Sequence, residues 1–121
     1  MSEQSKALNW SPVCTLDDIA PNTGICALVN DRHVAVFHVT GEAGRLFAID
    51  NYDPNAQASV LSRGLIGSLG ERIVVASPIY KHHFDLQSGE CLEAPENSVN
   101  TYAVRVQDRV VHVAFQTSAQ T

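Results

Sequence analysis

Lysine is almost missing from this sequence. Lys6 and Lys81 are the only two, the six arginines are dispersed, and 13 acidic against 8 basic residues leave a net charge of −5. Phosphate backbones are held by clusters of Lys and Arg, so duplex nucleic acid is excluded as a partner. Cysteine is scarce as well: Cys14, Cys26 and Cys91 are odd in number and widely spaced, with no C-x-x-C. That excludes a disulfide framework and a structural zinc site, and predicts buried free thiols in a reducing compartment. No apolar run approaches the length of a bilayer span, and "MSEQSKALNW" has no signal-peptide pattern. The expectation is a soluble cytoplasmic protein with no membrane partner. There is no long amphipathic helix, no G-x-S-x-G and no glycine-rich loop opening a helix; "RGLIGSLGE" only imitates one. A nucleophile–base set is not legible, and no histidine has a recognisable orienting acid.

What is present is a strand-rich chain of one-domain size. The 121 residues are 45% hydrophobic, and a domain this small still buries roughly 65% of its unfolded surface. We expect a single domain over residues 1–121, with residues 1–8 and 116–121 flexible. "HVAVFHV" alternates, placing Val34, Val36 and His38 on one face and Ala35 and Phe37 on the other. "TYAVRV" aligns Tyr102, Val104 and Val106, and "VVHVAF" aligns Val111, Val113 and Phe115 opposite His112. A period of two predicts half-buried antiparallel strands. "RLFAID" and "RIVVAS" read as two more, and "NDR", "GEAG", "QSGE" and "QDR" read as turns between strands. "TLDDI" suits a short turn capped by Thr15 and stopped by Pro21, and "SVLSRGLIGSLGE" suits at most a turn of helix. Trp10 is expected in the core at a sheet edge. About seven or eight short strands make an all-β fold, a small antiparallel sandwich or barrel.

Two loops then stand out, "DNYDPNAQASVLSRG" and "SPIYKHH". Each follows a strand and carries proline among polar residues, and such loops are where β-domains usually work. Together with "FDLQSG" they resemble the paired ligand loops of Rieske iron–sulfur domains, which carry Cys-x-His in the first loop and Cys-x-x-His in the second. Pro78, Phe84, Asp85, Ser88 and Gly89 fit that frame. The ligand positions are Asn51, Asp53, Ser77 and Tyr80, so all four ligands are replaced. A Rieske cluster needs two thiolates and two imidazoles. An amide, a carboxylate, an alcohol and a phenol do not supply them, so no metal is expected in this chain. His82 and His83 do not rescue the site: in an extended segment they point to opposite faces, one packed and one solvated. Asp85 is expected to fix the turn before Gly89.

The resemblance narrows to a cluster-free branch of that fold, the small subunit of bacterial assimilatory NAD(P)H-dependent nitrite reductase. "WSPVCTLDDIAPNTG", "FAIDNYDPNAQASVLSRGLIG", "VASPIYKHHFDLQSGECLE" and "YAVRV" carry it over nearly the whole chain. "NDRHV" departs from it, because a glycine is common in that turn. The resemblance implies a large-subunit partner holding sirohaem, an iron–sulfur cluster and FAD, which reduces nitrite to ammonium with NADH or NADPH. The small subunit, with no catalytic residue and no cofactor, would act by docking to that partner and stabilising it. The contact candidates are Tyr52, Pro54, Arg63, Ile79, Tyr80 and Lys81, aromatic, apolar and cationic residues of the two loops. Two alternatives stay open. Tyr80 and Ile79 either form the docking tip or turn inward, with Asp53 or Asn51 meeting the phenol. The whole chain is either that subunit or a free-standing binding or regulatory module on a Rieske-like scaffold.

Overall fold

The computed structural model describes residues 9–40 and 45–115. The flexible-terminus expectation, the "GEAG" turn and the side chain of Phe115 lie outside the described residues. The strands are β1 (Asn9–Thr15), β2 (Thr23–Val29), β3 (Arg32–Val39), β4 (Arg45–Asp50), β5 (Tyr52–Asp53) and β6 (Ala58–Ser59), followed by β7 (Leu65–Leu69), β8 (Arg72–Ala76), β9 (His83–Asp85), β10 (Thr101–Gln107) and β11 (Val110–Phe115). Among the described residues the only helical segments are single 3-10 turns at Leu16–Asp18, Leu61–Arg63 and Pro95–Asn97.

Six strands form one antiparallel sheet in the order β1-β11-β10-β4-β3-β2. Val13, Ile25, Val34, Val36, Ala48, Val104, Val111 and Val113, drawn from all six strands, meet in one core. A sheet whose end strands share a core with its central ones is rolled, so the all-β expectation resolves as barrel-like. A second core lies on the other face of β3 and β4. There Ala35, Phe37, Phe47 and Ile49 pack on Leu61, Val75, Phe84, Leu86 and Cys91. Those residues belong to the loops and to a small sheet ordered β7-β8-β9.

The half-buried reading of "HVAVFHV" is therefore corrected. The alternation is real, but Val34, Ala35, Val36 and Phe37 are all fully buried because both faces of β3 carry a core. His38 is half-buried and donates from Nδ1 to the Ile19 carbonyl at 3.2 Å.

The β2–β3 and β10–β11 hairpins turn on two residues each, Asn30-Asp31 and Asp108-Arg109, all with φ between 50° and 68°. Both central residues left-handed is the turn whose twist suits a hairpin, and Asn and Asp tolerate it without glycine. That is how "NDRHV" dispenses with the glycine. Thr15 starts the Leu16–Asp18 turn, with the Asp18 carboxylate accepting from its N–H at 3.0 Å and its hydroxyl at 3.1 Å. In "SVLSRGLIGSLGE" only Leu61–Arg63 is helical; Ser59 ends β6 and Leu65–Leu69 form β7. Trp10 is half-buried on the end strand β1, covered by the Arg105 guanidinium 4.2 Å from the ring centre.

Candidate functional site

Strand β4 runs directly into the first loop, and Asn51 folds that loop back on itself. Its Oδ1 accepts from the Ser62 N–H at 2.7 Å, its carbonyl accepts from the Leu61 N–H at 3.0 Å, and its Nδ2 faces Cys26 Sγ at 3.5 Å. Asp53 is fully buried. Its Oδ1 accepts from the backbone N–H groups of Asn55 (2.9 Å) and Ala56 (3.4 Å), and its Oδ2 accepts from the Ser77 hydroxyl at 2.5 Å. Ser77, also buried, opens the second loop; its Oγ accepts from the Ile79 N–H at 3.3 Å, and its own N–H donates to the His82 carbonyl at 2.9 Å. The two loops are thus tied by one buried hydrogen bond between Asp53 and Ser77, at two positions where the Rieske pattern has metal ligands. Gly64 lets them approach: a Cβ there would lie 2.3 Å from the Ala76 carbonyl oxygen.

The fourth ligand position differs. Tyr80 is 70% exposed, and it shares with Lys81 a left-handed backbone, φ 64° and 60°. A tyrosine in that conformation is sparsely populated territory, held by the loop around it. The Tyr80 ring meets His82 edge to face at 6.5 Å. The inward alternative for Tyr80 is not realised, and neither Asp53 nor Asn51 meets its phenol.

A [2Fe–2S] group does not fit this donor set. Asn51, Asp53 and Ser77 are neither thiolates nor imidazoles, and their oxygens are engaged with each other or with backbone N–H groups. Among the described residues no group of three or more His, Cys, Asp or Glu is placed to hold a metal.

The six contact candidates divide. Arg63 and Lys81 line one cleft of about 180 Å³, together with Gly64, Leu65, Ala76, Ser77 and Pro78. Tyr80 is exposed next to it in the chain, and Ile79 is half-buried. Tyr52, 47% exposed, lines a separate cleft of about 290 Å³ with Asp31, Arg32, His33, Asp50 and Ser59. Pro54 is half-buried. Leu65 was not singled out from the sequence, yet it is 75% exposed on the rim of the first cleft. Its signal was an apolar residue directly after Gly64 at a loop end.

His82 and His83 differ from expectation in two ways. Both are half-buried, rather than one packed and one solvated. The buried Nδ1 of His82 has no hydrogen-bond partner among the described residues. His83 does have an acid: its Nδ1 lies 2.6 Å from Glu93 Oε2, and its N–H donates to Oε1 at 2.8 Å. Glu93 is ten residues away in sequence and arrives only because Phe84 bridges Cys91. Burial raises the Glu93 carboxyl, but the hydrogen bonds from His83 and the Glu93 N–H, with the charge of His83, outweigh it and hold the group below its ordinary range.

Asp85 has the turn role expected of it. Its Oδ1 accepts from the N–H groups of Gln87 (2.7 Å) and Ser88 (3.0 Å), and Gly89 completes the turn at φ 82°. The three cysteines are free, but Cys26 is exposed and Cys14 half-buried, so only Cys91 matches the buried expectation. Partial desolvation by neighbouring protein pushes the thiols of Cys14 and Cys26 up, with the Asp18 charge adding to the effect at Cys14. Among the described residues no helix is long and apolar enough to cross a membrane.

The family described as "Rieske-like [2Fe-2S] domain" matches residues 9–114. The NADH nitrite reductase small subunit of Escherichia coli K12 is 45% identical over 104 residues, covering 86% of this chain and 95% of that protein. A segment of the NAD(P)H nitrite reductase large subunit of Klebsiella oxytoca is 36% identical over 107 residues, 88% of this chain but 11% of that protein. The solution structure of the E. coli protein NirD superposes with a TM-score of 0.82 at 43% identity, covering 90% of this chain and 98% of that one. A rolled six-stranded sheet, two loops in the Rieske frame and this likeness over most of both chains lead to one assignment: the chain belongs to the Rieske-like family, among the small subunits of NADH nitrite reductase.

Proposed function

We infer that this chain is the small subunit of an NAD(P)H-dependent nitrite reductase, an oxidoreductase complex that reduces nitrite to ammonium, and that it works by docking to the large subunit and stabilising it. The observation that carries the docking role is the state of the four ligand positions. Three are buried and hydrogen-bonded, Asp53 to Ser77 across the two loops and Asn51 to the Ser62 N–H within the first loop, and the fourth, Tyr80, stands on the surface. Such loops keep the shape of an electron-transfer tip and offer contact area in place of redox chemistry. The Klebsiella large subunit supports the choice of partner, since a domain like this one forms a small part of that single chain. The electrons and the nitrite chemistry belong, in this reading, to sirohaem, an iron–sulfur cluster and FAD in the large subunit, with NADH or NADPH as donor. The complex is cytoplasmic and the small subunit a single domain.

The test is truncation of the tip in the assembled enzyme. Ile79→Ala with Tyr80→Asn should weaken association with the large subunit by at least about tenfold. Asn is chosen because it tolerates the left-handed backbone of that position. The melting temperature of the isolated subunit should shift by less than the loss of affinity would suggest, because Tyr80 is exposed and Ile79 is only half-buried. Unchanged affinity beside a collapsed melting curve would assign these residues to packing. Failure of the unmodified chain to co-purify with a sirohaem flavoprotein would instead favour a free-standing module.

A further inference from the structure

The described basic side chains are nearly all engaged. Arg72 pairs with Asp85 and Glu90, and Arg109 pairs with Asp17. Arg45 lies over Phe47 and Arg105 over Trp10, while Arg32 interacts with Tyr102. The two left without an ion pair, hydrogen bond or ring contact among the described residues are Arg63 and Lys81, and both line the cleft between the loops. Among the described residues no carboxylate lines that cleft, although the chain carries 13 acidic residues and a net charge of −5. One side chain comes from the 3-10 turn Leu61–Arg63 and the other from the tip of the second loop, so the fold has converged them from two segments. Beside them Leu65 and Tyr80 are exposed to 75% and 70%.

We propose that this cleft seats an acidic segment of the large subunit, in which carboxylates meet Arg63 and Lys81 and an apolar side chain covers Leu65 and Pro78. The proposal rests on the docking reading above and adds the chemistry of the partner. Charge complementarity decides the occupant. Unpaired cations over an acidic background attract carboxylates, and a guanidinium fork accommodates a carboxylate with two parallel N–H donors. Two cations on a net-negative chain are too few for a nucleic acid, whose binding scales with the number of phosphates neutralised. The Ser77 hydroxyl, also in the lining, is committed to Asp53 and is not a donor for the partner.

The experiment compares the intact subunit with the double variant Arg63→Glu, Lys81→Asp in binding to the assembled large subunit at low and high salt. Asp is used at Lys81 because it tolerates a φ of 60°. The expected result is loss of affinity of about tenfold per reversed charge, mostly at low salt, with a shallower salt dependence than the parent. A milder pair, Arg63→Gln with Lys81→Asn, should fall between the two. Melting curves of both variants should stay near the parent's, since both side chains are exposed. Parent-like affinity and salt dependence in the double variant would overturn the acidic-segment proposal and leave the docking reading standing. If the unmodified chain itself does not bind the large subunit, the docking reading fails and the proposal falls with it.

Discussion

At the scale of single residues, the chain shows what becomes of a metal site when its donors change class. A cluster would cross-link the two loops through four ligands; here a carboxylate and an alcohol do so through one hydrogen bond of 2.5 Å between Asp53 and Ser77. The bond is buried, so its loss leaves Asp53 Oδ2 without a partner and away from water. Ser77→Ala should therefore destabilise the isolated subunit by about 1–3 kcal/mol, read as a shift in the midpoint of urea unfolding with an unchanged slope. Ser77→Thr, which keeps the hydroxyl, should recover part of that loss. A variant as stable as the parent would mean that the loops are held by packing alone. The identity of the four positions was legible from the Pro78, Phe84, Asp85 and Gly89 frame. That Asp53 and Ser77 bond to each other was not, because 24 residues separate them and only the paired loops bring them together. The His83–Glu93 contact was hidden for the same reason.

Elements explain why the strand reading succeeded in position and failed in burial. The alternation in β3 locates the strand correctly, but period two reports which residues share a face and not how many faces are covered. Loops and the small β7-β8-β9 sheet cover the second face, and that layer has no local signature in "HVAVFHV". The turns were more legible, since Asn, Asp and Gly accept left-handed backbone and mark it in the sequence. Tyr80-Lys81 escaped notice as a turn because neither residue favours the conformation it adopts. The approach of the first loop to β8 depends on Gly64, whose absent side chain leaves room for the Ala76 carbonyl. Gly64→Ala should push these segments apart and cost about 1–3 kcal/mol of stability. The same substitution should widen the cleft holding Arg63 and Lys81 and weaken partner binding beyond what the stability loss explains. Amide exchange localised to residues 61–65 and 76–82 would check this; protection unchanged from the parent would show that the backbone absorbs the methyl group.

For the whole molecule, the weakest line in the six-stranded sheet is the join between its halves. Among the described residues β10 meets β4 through only Thr101↔Ile49 and Tyr102↔Ala48, whereas β3 and β4 pair along their length. Asp50 reinforces that seam: its Oδ2 accepts from the Asn100 N–H at 2.9 Å, and its Oδ1 accepts from the Tyr102 hydroxyl. Burial, then the hydrogen bond to Asp50 and the charge of Asp50, push the Tyr102 phenol up to about 12, while Arg32 pulls the other way. A folded-state value above the ordinary tyrosine value near 10 means that the folded chain holds this proton more tightly than the unfolded one. The contribution to stability is thus complete below pH 10 and is lost as the pH rises towards and through 12. Urea unfolding between pH 8 and 12 should show the parent losing stability over the last two units of that range. Tyr102→Phe, which has no proton to lose, should begin less stable at pH 8 and fall less steeply above pH 10. Parallel decline of the two proteins would remove Tyr102 from the seam and leave the join of the two half-sheets to Asn100 and the backbone pairs alone.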